Sequence, residues 1–205
     1  LEGESIFEVR NAKDGEYVSM SCGYDFYIDD NVQKDSELIY NLINEMFEDE
    51  TVTEFVIMSI AKCVAGGNNT EEFATFWLGE GGNGKGLLTT LIENVFGDYF
   101  CPLSYKIFTH IKEDNRSVEL FEGRKKRYFS VSEPAKKFTM NSDTFKLWTG
   151  KDPVSVRNNY ATKMTKYTPS TTNFQSNHHI QFDGDTSGVS MIRRIVAILF
   201  PNLFK

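Results

Sequence analysis

Phe76-Trp77-Leu78-Gly79-Glu80-Gly81-Gly82-Asn83-Gly84-Lys85-Gly86-Leu87-Leu88 reads as a buried strand, a glycine turn and the first turn of a helix. Backbone N–H groups at a helix N-terminus bind anionic oxygens, and glycines let the main chain approach them without a Cβ in the way. Lys85 is placed to reach the terminal phosphates of a nucleotide, and Gly79-x-x-x-x-Gly84-Lys85 fits the P-loop frame. Gly79, Glu80, Gly81, Gly82, Asn83, Gly84, Lys85, Gly86 and Leu87 are therefore the candidate nucleotide-binding residues. One position departs from the frame: Gly86 stands where a Ser or Thr hydroxyl ligates Mg²⁺.

The same glycines satisfy Gly79-x-Gly81-x-x-Gly84, the dinucleotide fingerprint, with Asp98 about 20 residues past the first glycine. A dinucleotide-binding oxidoreductase is thus an alternative reading. It expects a second strand ending in the acid, whereas residues 87–96 read as one helix running into Gly97-Asp98, and it leaves Lys85 without a task. The P-loop is the favoured reading.

Outward from this stretch, strands are expected at 73–78, 128–131, 171–176 and 195–200, with a helix at 85–96. Strands alternating with helices, with the cradle on the first strand-to-helix turn, predict a three-layer α/β fold with a mostly parallel central sheet. Upstream, residues 1–34 read as loop and short strand. A helix follows from a Ser36 N-cap, carrying Leu38, Ile39, Leu42, Ile43, Met46 and Phe47 at helical spacing, with Met46 and Phe47 in the core. A second helix is expected at 53–64, ended by Gly66-Gly67. The chain then divides into an acidic, mostly helical lead-in, 1–70, and a nucleotide domain, 71–205. A hairpin is expected from Val154-Ser155-Val156, through a turn at Asn158-Asn159, to a return strand at 164–167; its basic and aromatic tip suits a nucleic-acid backbone.

The 205 residues, 40% hydrophobic, suffice for one α/β domain with a proper core. Cys22, Cys63 and Cys101 are odd in number and never form C-x-x-C, which argues for reduced intracellular thiols and against a structural zinc. The apolar runs 55–61 and 194–200 are too short to cross a bilayer, so no membrane partner is expected. Charge is divided: residues 1–100 hold 20 acidic and 5 basic side chains, net −15, and residues 101–205 hold 9 and 17, net +8. Such asymmetry points to a polyanion partner for the basic half. A first residue other than Met and an end directly after an apolar run read as a fragment of a longer protein.

Using a γ-phosphate takes a carboxylate near metal and water, a polar sensor and a cation. Tyr128 to Val131, Ser132 and Glu133 have the layout of a strand that delivers an acid beside the cradle, Asn177 closes the strand 171–176, and Arg193-Arg194 opens the last one. The order Gly79-x-x-x-x-Gly84-Lys85, residues 128–133, Lys146-x-x-Thr149-Gly150-x-Asp152-Pro153-Val154-x-x-Arg157, Asn177 and Ile192-Arg193-Arg194-Ile195 resembles the superfamily 3 helicase module. It is most similar to the primase-helicases of poxviruses, other large DNA viruses and some phages, over residues 36–200. The resemblance implies an AAA+ type P-loop ATPase, a homo-oligomer and usually a hexameric ring, that uses ATP and Mg²⁺ to move along single-stranded DNA inside an infected host cell. It further implies that Lys85 binds the β- and γ-phosphates, Glu133 acts with the metal and attacking water, and Asn177 is the sensor. Arg193 or Arg194 would be the finger reaching the neighbouring site, and Lys151, Arg157, Tyr160 and Lys163 would meet DNA. Gly86 keeps a second alternative open, a nucleotide- and DNA-binding subunit with a slow or inactive ATPase site.

Overall fold

A computed structural model describes residues 10–27, 29–66, 71–109, 118–132, 139–159, 161–184, 186 and 188–204. Its centre is a five-stranded sheet, in which β1 (Ala74–Leu78), β2 (Phe100–Leu103), β3 (Tyr128–Val131), β7 (Thr171–Ser176) and β9 (Ile195–Leu199) run in the order β2-β3-β7-β1-β9. Every pairing in it is parallel, and β1 and β3 are buried on both faces, as is usual inside a parallel sheet. β2 lies at one edge of the sheet, the place where a strand tolerates a proline such as Pro102, which has no N–H to donate.

Alternation along the strands sends side chains to two cores. One face holds Phe76, Phe129 and Phe174 against Phe108, Met140 and Met191 and against Phe145 and Trp148 of helix α5 (Ser142–Thr149); Phe76 stacks on Phe174 with ring centroids 4.8 Å apart. The other face holds Trp77, Tyr128 and Ile198 against Leu88, Ile92 and Phe96 of α3 (Lys85–Phe96) and against α1 (Val32–Phe47) and α2 (Glu50–Ala65). Met46 and Phe47 of α1 are core residues, and Phe47 meets Phe200 edge-on at 4.7 Å. The acidic helices thus share the core of the nucleotide-loop helix. The smaller elements are α4 (Val118–Glu122), α6 (Val189–Ile192), the two-residue pair β4 (Thr139–Met140) with β8 (Gln181–Phe182), and the antiparallel hairpin β5 (Val154–Val156) with β6 (Thr165–Tyr167).

Several boundaries differ from those expected. α1 begins at Val32, a turn before Ser36; Asn31 is its N-cap and makes no side-chain cap bond. α2 begins at Glu50, capped by Asp49, whose carboxylate accepts from Thr51 N and Val52 N. Residues 10–27 and 29–31 contain no strand. The first and last sheet strands are each one residue shorter than expected, beginning at Ala74 and ending at Leu199.

Candidate functional site

The glycine loop leaves the C-terminal end of β1 and enters α3 through Gly84, which takes a left-handed conformation at φ 88°. Leu88 N is bonded to Gly84 O, the first bond of the helix. The amides of Lys85, Gly86 and Leu87 therefore have no intrahelical acceptor and, with the helix dipole, form an anion-binding mouth. Gly79 is required sterically: at φ 155° a Cβ would lie 2.3 Å from Asn83 Nδ2 and 2.6 Å from Phe200 O. A Cβ on Gly84 would press on the Met46 thioether at 3.1 Å, so α1 supports the loop from beneath.

Lys85 is buried, and its ammonium donates to Gly79 O at 2.6 Å, Asn83 Oδ1 at 2.9 Å and Glu80 O at 3.2 Å. Asn83 is buried too and donates to Phe200 O. These three contacts hold the ammonium on neutral dipoles at the mouth of the loop. Residues 81–87 line a cleft of about 550 Å³ together with Ser132, Gln175, Ser176, Asn177 and Phe204. Asn177 follows β7, where Ser176 Oγ donates to His178 O and accepts from His178 N, bracketing it. Ser132 follows β3. The Gly79, Lys85 and Asn177 segments and the end of β3 thus converge at one edge of the sheet. Glu133, the next residue, lies outside the described residues, as does Tyr160.

Gln175 and Phe204 also line the cleft and carry no motif signal. Gln175 Nε2 donates to Thr89 Oγ1 at 2.8 Å and to Ser130 Oγ at 2.9 Å. Phe204 is pinned over the loop by its amide, which donates to Gly82 O at 2.8 Å. Asp98, the acid of the dinucleotide frame, lies beyond the far end of α3 and accepts from Ser21 N. A 12-residue helix separates it from the loop, about 18 Å at 1.5 Å per residue.

The remaining predicted cations lie elsewhere. Arg193 and Arg194 precede β9, whose Ile195 pairs with Ala74, so they sit at the sheet edge opposite the cleft. There Glu72 Oε2 lies 2.7 Å from Arg193 Nη2 and 3.7 Å from Arg194 Nη2, and Oε1 lies 3.5 Å from Lys151 Nζ. Glu72 Oε2 nevertheless makes no hydrogen bond, so proximity of charge, without good angular geometry, holds the group. The hairpin belongs to the same edge, since β6 leads into the start of β7 and Thr168 Oγ1 donates to Lys151 O. Lys151 and Lys163 are exposed and Arg157 is half-buried. In the basic cluster before β3, Arg124, Lys126 and Arg127 each donate to a backbone carbonyl, of Phe121, Asp98 and Val64 respectively. Those three serve the fold.

Among the described residues no three His, Cys, Asp or Glu side chains group to hold a metal. The close backbone approach at Gly79 and Gly84, the buried lysine and the N-terminal turn of α3 fit a phosphate chain.

No family model matches the chain. "Putative helicase L207/L206" of Acanthamoeba polyphaga mimivirus is 24% identical over 142 residues, covering 68% of this chain and 15% of that protein. "Putative helicase 022R" of Frog virus 3 (isolate Goorha) is 30% identical over 125 residues, covering 60% and 13%. "Putative helicase 121R" of Invertebrate iridescent virus 3 is 32% identical over 105 residues, covering 50% and 10%. The chain spans only 10–15% of the length of these relatives. Among solved structures, the A form apo structure of the NrS-1 C-terminal region superposes with a TM-score of 0.58 at 20% identity, covering 82% of this chain and 38% of that one. The 305–718 form of the same region gives 0.60 at 19%, again covering 82% and 38%; at such identity the likeness speaks for the fold alone. No helix among the described residues is long and apolar enough to cross a membrane. Relatives in sequence and neighbours in fold agree on one likeness: the chain is similar to a part of several putative viral helicases and shares its fold with the NrS-1 C-terminal region.

Proposed function

We propose that the chain is the ATP-hydrolysing motor of a replicative DNA helicase, an AAA+ type P-loop domain working as a ring, usually of six copies, on single-stranded DNA within the infected cell. The observation that carries the reading is the convergence of the Lys85 loop, Asn177 and the end of β3 on one cleft. In this reading the amides of residues 85–87 and the Lys85 ammonium grip the phosphates, and Lys85 exchanges its loop carbonyls for phosphate oxygens. Asn177 orients the outermost phosphate and Glu133 the attacking water. Bound Mg²⁺ supplies charge neutralisation across the phosphates. Arg193 or Arg194, remote from the cleft of their own chain, act on that of a neighbour. Lys151, Arg157 and Lys163, on or beside the hairpin, meet the DNA backbone together with Tyr160. Lys85→Ala is expected to lower phosphate release at least 100-fold, with and without single-stranded DNA, in chains that keep their Tm. Turnover unchanged by that substitution overturns the proposal.

Gly86 favours a second reading, a subunit that binds nucleotide and DNA but turns over slowly or not at all. DNA and nucleotide binding without phosphate release, at concentrations that permit assembly, selects it.

A further inference from the structure

Gly86 lies where a P-loop hydroxyl would stand, and an ideal Cβ built there meets nothing within 4 Å. Sterics do not demand the glycine, and the cleft lacks an oxygen at that point. Gln175 lines the same cleft, and the hydrogen bonds around it fix which end of its amide is spare. Thr89 Oγ1 donates its single proton to Lys85 O at 2.8 Å, so toward Gln175 it accepts only. The group facing Thr89 and the buried Ser130 must therefore be the amide nitrogen, whose two protons go to those two hydroxyls. Among the described residues no hydrogen bond goes to Gln175 Oε1, which leaves a hard carbonyl oxygen as the polar end of this side chain available to the cleft. The mount is firm: Thr89 is on α3, Ser130 on β3 and Gln175 on β7 between them.

Resting on the nucleotide-site reading, we infer that Gln175 Oε1 replaces the missing P-loop hydroxyl and holds the water shell of the divalent cation that accompanies the nucleotide. Gly86 and Gln175 are then a compensating pair. Amide carbonyl oxygen suits a hard cation that keeps most of its waters, and partners of this outer kind are worth about 10–100-fold in metal affinity.

The test is a Mg²⁺ titration of fluorescent N-methylanthraniloyl-ATP binding by the full chain, with a parallel measurement in EDTA. Gln175→Ala is expected to raise the Mg²⁺ concentration for half-maximal tight binding about 10-fold, with EDTA binding unchanged. Gly86→Ser, which has room for its side chain, restores most of that 10-fold in the Gln175→Ala background, a larger gain than any it makes in the parent. That non-additivity is the signature. An unmoved midpoint in Gln175→Ala overturns the inference. So does an equal loss in EDTA that Gly86→Ser does not rescue, which marks Gln175 as a brace for Thr89 and Ser130 only. Absence of analogue binding by the parent chain at every Mg²⁺ concentration instead sinks the nucleotide-site reading, and this inference with it.

Discussion

Two glycines of one loop make opposite predictions. A Cβ at Gly79 collides with Asn83 Nδ2 and Phe200 O in a backbone conformation that L side chains rarely adopt. Gly79→Ala should therefore cost about 2–3 kcal/mol, by overpacking and strain together. For a chain of this size that is a fall in Tm of roughly 5–10 °C by thermal unfolding. Gly86 lies in open space within the first turn of α3, so Gly86→Ala should raise stability by about 0.5 kcal/mol, since glycine is a poor helix residue. Equal effects of the two would contradict the loop geometry. At this scale the loop was legible because glycine and lysine spacing is dictated by the phosphates it would hold. Gln175 was not legible. Within Thr171–Ser176 it looks like any partly polar strand position, and only the hydroxyls of two other elements give its amide a direction.

Elements whose ends coincide with a change of period were read from the chain directly. α3, β3 and β7 have the bounds expected of them, because Gly84 and Gly97 frame the helix and turn residues frame the strands. α1 was read a turn late because its first turn, Val32 to Asp35, is exposed and shows no apolar stripe. α2 was read late because its cap, Asp49, sits within an acidic run that hides the signal. Helix α5 was missed although Asn141 caps it, accepting from Thr144 N, for its partner arrives from 42 residues away: Asp183 accepts from Ser142 N at 2.8 Å and Asn141 Nδ2 at 2.9 Å. The Ser142 amide first, and then Asn141, hold the Asp183 carboxyl below the usual carboxylate range. A lowered folded-state pKa stabilises above the ordinary carboxylate pKa and is lost as pH falls through the lowered value. Asp183→Asn should thus reduce Tm near pH 7, and the gap to the parent should close as the solution is acidified below the ordinary carboxylate range. A gap constant with pH would remove the cap from the pH dependence.

Across the whole molecule the two functional edges are set apart by the length of the parallel strands, five residues in β1, or about 16 Å. One chain does not bring its own Arg193 or Arg194 to Lys85 in this arrangement. If the proposed ring forms, an inactive Lys85→Ala chain and an inactive chain carrying Arg193→Ala and Arg194→Ala should regain a measurable part of the parent phosphate release when mixed, because some interfaces pair an intact loop with intact arginines. No recovery over a range of mixing ratios would place the finger elsewhere. The parallel core was legible as a whole, since apolar runs alternate with one clear helix. The gathering of Lys151, Arg193 and Arg194 at the far edge was not, because it rests on Glu72, which no spacing rule singles out.

Glu72 itself has a left-handed backbone, at φ 58°, and Oε2 rests against Arg193 with no directed bond to it. An anion shared in this way among three cations is easily exchanged. Under the proposed function, a phosphate arriving at Lys151 from DNA, or at Arg193 or Arg194 from an adjoining copy, would meet a carboxylate that lets go without the breaking of any oriented contact. Release of one cation would also leave the carboxylate a stronger grip on the other two, so under that reading the two kinds of visitor would feel each other through a single side chain.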